Sequence, residues 1–123
     1  MTKKSAVPAP PSGTGPSGRA LWNDVLGKYI LENHELLLLK EMVRTVDLLD
    51  KLHAIVQREG LMVEGPHGSK PHPAVVEARQ SKIALARLGA ALRLPAGDED
   101  SAGVRRPQRR AGARGVYQLR DSV

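Results

Sequence analysis

Residues 34–59, HELLLLKEMVRTVDLLDKLHAIVQRE, contain neither Gly nor Pro and are dominated by strong helix formers. Apolar side chains recur at Leu39, Met42, Val46, Leu49 and Val56, with His53 in the remaining slot. Such spacing places one seam along one side of a single long helix. At ~1.5 Å per residue the helix would extend roughly 39 Å. Leu36, Leu37, Leu38, Leu48, Leu52 and Ile55 widen the stripe beyond what one neighbour can cover. The helix therefore requires at least two partners, and a chain of 123 residues has few to offer.

The first partner is expected over residues 19–31, where Leu21, Trp22, Val25, Leu26, Tyr29 and Ile30 repeat at helical spacing. Ser17 is its candidate cap, and Gly27 weakens it or marks a close crossing. Glu32 and Asn33 break the pattern, with Asn33 placed to cap the long helix. Within that helix, Asp47 and Lys51 have the spacing of a favourable ion pair. Gly60 ends it.

The second partner is expected from Ala74 to Arg93, with Pro73 in its first turn and His72 just before. Val75, Val76, Ile83, Leu85, Leu88 and Leu92 keep the helical pattern. Ala78, Ala84, Ala86, Gly89, Ala90 and Ala91 would admit another helix closely, and Pro95 stops the run. The connector, 60–72, is longer than the ~2–8 residues usual between bundle helices. Leu61, Met62 and Val63 suit an extended segment, and Gly65, Pro66 and Gly68 a turn. Pro71 argues against a well-paired return strand, so a loose β-like arm is expected.

The expected fold is all-α: a short N-terminal helix plus a long antiparallel helical hairpin with a β-like connecting arm, flanked by disordered tails. Residues 1–18 form the N-terminal tail, 19–95 a helical oligomerisation core, and 96–123 a basic, mostly disordered C-terminal tail. Leu39, Met42, Val46, Leu49, Val56, Ile83, Leu88 and Leu92 are the residues expected to serve core and self-association. A core this small rarely supplies more than ~3–5 kcal/mol without a staple or self-association. The chain has no cysteine, so no disulfide can act as that staple. Leftover apolar surface is expected on part of residues 36–39 and along 84–91.

Charge is uneven. Of a formal net charge of +6, residues 20–94 carry ten basic against nine acidic side chains. The excess lies in the tails: Lys3, Lys4 and Arg19 on one side, and six arginines beyond Leu94 on the other. Arginine forks suit phosphate oxygens, and a Gly-rich backbone lets them adapt to a groove. Arg105, Arg106, Arg109, Arg110 and Arg114 are the leading DNA contacts, with Lys3 and Lys4 secondary. Tyr117 is the one aromatic nearby, so duplex binding is favoured over base stacking on a single strand. A solvated, solubilising tail is the plain alternative.

Other classes are disfavoured. Pro8, Pro10 and Pro11 stand where a signal peptide would need an apolar stretch, and no run approaches the ~18 residues of a membrane span. A soluble intracellular protein with no membrane partner is the expectation. His34, His53, His67 and His72 lack cysteine or recurrent acidic partners, so no metal site is expected. GPHGSKP (65–71) lacks the GxxxxGK[ST] order of a P-loop. No catalytic residue and no cofactor are expected, and the chain is read as a non-enzyme.

In order along the chain stand ALWNDVLGKYILENHELLLLKEMVRTVDLLDKLHAIVQREG (20–60), a Gly-rich arm, KPHPAVVEARQSKIALARLGAALRLP (70–95) and RPQRRAGARGVY (106–117). This arrangement resembles the P27-like family of phage terminase small subunits. The "HELLLL" and "TVDLLDKL" segments of the long helix and the G…HP step into the final helix carry the resemblance. It implies a non-catalytic DNA-binding component of the viral DNA-packaging machine that assembles into a homo-oligomeric ring. Its implied partners are double-stranded viral DNA and a terminase large subunit holding the ATPase and nuclease, in the host cell cytoplasm. The chain departs from that expectation in one respect: no clear helix-turn-helix can be found. Two other readings fit the residues: a helical adaptor without a DNA role, and a small dimeric DNA-binding regulator.

Overall fold

The computed structural model describes residues 7–94 and the backbone of 108–109. Three helices account for most of it: α1 (Pro16–Lys28), α2 (Asn33–Glu59) and α3 (Pro73–Leu92). Four short strands accompany them: β1 (Tyr29–Ile30), β2 (Met62–Gly65), β3 (Gly68–Pro71) and β4 (Gln108–Arg109). The described part is all-α apart from two small two-stranded sheets, β1 with β4 and β2 with β3.

α2 is the axis of the molecule, and its two flanks are covered by different helices. Near its start, Leu39, Met42 and Val43 meet Trp22, Val25, Leu26 and Tyr29, and Leu92 from the end of α3. Further along, Leu49 and Leu52 meet Ala74 and Ala78 from the beginning of α3. The end of α3 therefore lies against the start of α2, and the two helices run antiparallel. Leu85 packs against both clusters and links them.

The expected seam is realised at Leu39, Met42 and Leu49, but Val46 and Val56 are only half-buried and His53 is exposed. Val43 and Leu52 are buried instead. A single seam assumes one partner; with α1 and α3 on separate flanks, burial spreads to residues on either side of it. Leu92 is fully buried and Leu88 partly so, whereas Ile83 stays 44% exposed on the outer face of α3. Ile83 is thus no part of the core within one chain.

The first helix begins earlier than expected, at Pro16, because its amide groups are satisfied from another element. Ser17 does not cap it; Gly15 is the N-cap and has no side chain to offer. The carboxylate of Asp47, on α2, accepts from Gly15 N–H at 2.7 Å and from Gly18 N–H at 2.8 Å. Asp47 is thereby committed to the α1 terminus rather than to the expected pair with Lys51. The approach is close: a Cβ on Gly18 would fall 2.5 Å from Asp47 Oδ2. Upstream, the indole N–H of Trp22 donates to Pro8 O at 2.8 Å, and Thr14 bonds back to Pro11. Within the stretch 1–18 expected to be disordered, residues 16–18 thus belong to α1, and Val7, Pro8, Thr14 and Gly15 are held against α1 or α2.

At its other end α1 stops at Lys28, three residues short of the expectation, and Tyr29 turns extended to start β1. α2 is capped by Glu32 and Glu35 in a reciprocal box, with Glu32 N–H donating to Glu35 at 2.8 Å, and not by Asn33. The connector is better ordered than a loose arm. β2 and β3 pair antiparallel with Met62 opposite Pro71, Val63 opposite Lys70, Glu64 opposite Ser69 and Gly65 opposite Gly68. Pro71 is tolerated because it occupies the last position of the ladder, where a missing N–H costs little. Gly68, at φ +104°, supplies a backbone conformation that L side chains rarely adopt.

The Asp47 cap predicts a specific pattern of coupling. Asp47→Ala leaves two amides of α1 without their partner and should cost ~1–2 kcal/mol. Gly18→Ala should destabilise by steric conflict with that same carboxylate. Combined, the two changes should cost less than the sum of the single effects, because Asp47→Ala removes the nearest atoms that the added methyl group would strike and leaves only Thr14 Cγ2, at 2.8 Å. Urea unfolding midpoints of the four proteins measure this, and strict additivity would contradict the geometry.

Candidate nucleic-acid interface

Of the basic residues singled out in the sequence, Arg105, Arg106, Arg110, Arg114, Lys3 and Lys4 lie outside the described residues. Arg109 is placed by its backbone: β4 pairs antiparallel with β1, Arg109 opposite Tyr29 and Gln108 opposite Ile30. The pairing brings the centre of the arginine-rich stretch to the junction between α1 and α2, within a C-terminal region expected to be mostly unstructured. Main-chain hydrogen bonding of this kind ignores side-chain identity, so composition gave no sign of it.

Several basic side chains of the helical body already have partners. Lys28 lies 3.2 Å from Asp24, Arg44 2.8 Å from Glu41 and Arg58 3.3 Å from Glu59. Arg19 donates to Thr14 O at 2.7 Å. Such exposed pairs contribute little to stability and exchange readily.

Among the hollows lined by described residues are two on the surface of the helical body. One, of about 220 Å³, lies beside the start of α1 and is lined by Ser12, Gly13, Thr14, Arg44, Asp47, Leu48 and Lys51. The other, of about 370 Å³, is a groove between the second half of α2 and the first half of α3. Its floor is apolar, from Val56, Leu61, Val75 and Ala78, and its remaining lining is His53, Arg79 and Lys82. The groove is open because α1, anchored at Asp47, runs toward the start of α2 and leaves the second half uncovered. Around it Leu61 and Met62 remain 63% and 50% exposed.

His72 has a structural task that its place in a Pro/Gly loop did not disclose. Buried to 8% exposure, it caps α3 by accepting from Ala74 N–H at Nδ1, 2.9 Å away. Nδ1 must then be the unprotonated nitrogen, so Nε2–H donates to Glu59 Oε1 at 2.7 Å. Its backbone N–H reaches Leu61 O at 2.7 Å. One residue therefore ties the end of α2, the arm and the start of α3. The signal in the sequence is an acceptor side chain directly before Pro73, in the N-cap position. Among the described residues there is no group of three or more His, Cys, Asp or Glu side chains placed to hold a metal ion. No described helix is long and apolar enough to cross a membrane.

Comparison of the chain with protein-family models, with curated proteins and with solved structures gave no match.

The Glu59–His72 contact carries a pH dependence with a defined sign. The hydrogen bond from His72 holds the Glu59 carboxyl below its ordinary value, with a further contribution from Arg58. A carboxylate with a lowered folded-state pKa stabilises the fold above its unfolded value, about 4.3. That contribution is lost as pH falls through the lower, folded value. Glu59→Gln should therefore flatten part of the acid limb of the stability profile below about pH 4.3 and leave its shape near neutrality unchanged. Denaturant midpoints collected from pH 2.5 to 7 test this.

Proposed function

We propose that the chain is a small terminase subunit: a non-catalytic, DNA-binding, self-assembling component that delivers viral DNA to a large ATPase and nuclease subunit in the host cytoplasm. The observation that carries the reading is the order of features along one chain. A short helix precedes a long leucine-rich helix, a Gly-rich arm and an HP step lead into a final helix, and an arginine-rich segment follows. Two physical features support it. The helical body is close to electroneutral, so the net positive charge is concentrated in the segments outside it. Leu37, Leu48, Leu61, Met62, Val76 and Ile83 also remain at least 40% exposed, an apolar surplus suited to self-association.

In this reading Arg105, Arg106, Arg109, Arg110 and Arg114 meet phosphate oxygens of duplex DNA, assisted by Lys3 and Lys4. The pairing of β4 with β1 supports a role for the α1–α2 junction as the root of that contact. Phosphate contacts position a protein without reading sequence, so preference for a packaging site would come from DNA shape or bending.

If five arginines of a protomer each meet one phosphate, log K should fall against log salt with a slope of about −4.5 per engaged protomer. Deleting residues 104–123 should abolish most of that affinity and flatten the slope. Unchanged affinity and slope, with helical content retained, would remove the segment from the DNA interface and leave the helical adaptor as the better reading.

A further inference from the structure

The exposed apolar side chains of α2 are not scattered. Leu37, Glu41, Arg44 and Leu48 follow spacings of four, three and four, which align them on one face. Leu37 is 59% and Leu48 41% exposed, so the face is a ridge with an apolar residue toward each end and the Glu41–Arg44 ion pair between. The groove between α2 and α3 has the opposite character. It is concave, its floor is apolar, and its charged lining is Arg79 and Lys82 without a carboxylate.

Ridge and groove are also placed for a contact that one molecule cannot make with itself. Leu37 and His53 are separated by sixteen residues of one helix, or roughly 160° around its axis at about 3.6 residues per turn. They are separated by roughly 24 Å along it at ~1.5 Å per residue. The ridge therefore faces away from the groove on the same body.

We propose that the ridge of one copy, centred on Leu37 and Glu41, seats in the Arg79–Lys82 groove of a second copy. The inference deepens the self-assembly reading above by naming both of its surfaces. Leu37 supplies the apolar side chain for the floor formed by Val56, Val75 and Ala78. Glu41 exchanges its exposed pairing with Arg44 for Arg79 or Lys82 of the neighbour, a change that costs little because the original pair is solvated. Because the two patches differ, the contact is heterologous. Each copy keeps a free ridge at one end and a free groove at the other, so the assembly closes into a ring or extends as a filament.

The test uses the full chain and two variants at exposed positions: Leu37→Glu on the ridge, and Arg79→Glu with Lys82→Glu in the groove. Wild type should form species larger than a dimer in sedimentation or native mass spectrometry at micromolar concentration. Each variant alone should dissociate at a concentration at least about tenfold higher, with helical circular dichroism retained. Mixed in equal amounts, the variants should form a one-to-one heterodimer and nothing larger, since one intact ridge and one intact groove remain. As a fold-independent check, the natural absence of cysteine allows Leu37→Cys and Lys82→Cys to be combined. Mild oxidation should then give a ladder of covalent multimers. A monomeric wild type, variants that assemble like wild type, or a double-cysteine protein that gives no intermolecular disulfide would overturn the proposal. The DNA reading fails separately, through the salt titration of the truncated chain. An intact assembly with a silent ridge and groove removes only this interface.

Discussion

Coverage of α2 is the constraint on which the rest of the structure depends. The helix spans 27 residues, while α3 spans 20 and α1 only 13. An apolar stripe this wide must be shielded from water on more than one flank, and each buried Leu contributes ~1.5–3 kcal/mol. α3 follows most of the length, but α1 covers only the first half. The main core therefore forms where all three helices meet, around the fully buried Leu26, Leu39, Val43 and Leu92. At the other end the buried partners that α3 offers Leu49 and Leu52 are small, Ala74 and Ala78, with Leu85 only partly buried against them. The open groove and the exposed Leu61 and Met62 follow from that same shortage of covering chain.

Much of this is legible in residue patterns. The absence of Gly and Pro between Asn33 and Glu59 marks α2, and the Pro at position 73 marks the start of α3 to within a residue. Helical periodicity also finds Trp22, Val25 and Leu26 as the apolar face of α1. What fails are inferences that assume local partners. Asp47 reads as the first half of an ion pair with Lys51, because an i,i+4 rule considers one helix at a time. Its actual partners lie about thirty residues upstream and are backbone amides, which no side-chain pattern can flag. Pro71 reads as an obstacle to pairing, whereas its cost depends on a register that the sequence does not state.

The interface residues divide along the same line. Clustering of arginine is visible in composition, but the antiparallel pairing of Gln108–Arg109 with Tyr29–Ile30 is a main-chain contact. His72 reads as a loop histidine until its two ring nitrogens are assigned different partners. The ends of α3 show both kinds of control. The entry is set by His72 and Pro73; the exit is set by Arg93, held in a left-handed conformation at φ +62° with its N–H shared between Gly89 and Ala90 carbonyls. A non-glycine residue in that position carries a backbone cost of roughly 1–2 kcal/mol, which the buried Leu92 beside it helps to offset.

The remote cap on α1 also orders events during synthesis. The N-terminal residues leave the ribosome first, and a helix of 13 residues without a local cap is marginal in water. Gly15 and Gly18 acquire their acceptor only once Asp47 has emerged, 32 and 29 residues later. The Trp22 ring likewise finds its buried setting only against side chains of α2 and α3. α1 is thus made before α2 and α3 and is a late one to settle. Until then its Trp, Val and Leu side chains are exposed, and the nascent chain is most open to capture by chaperones before α2 is complete.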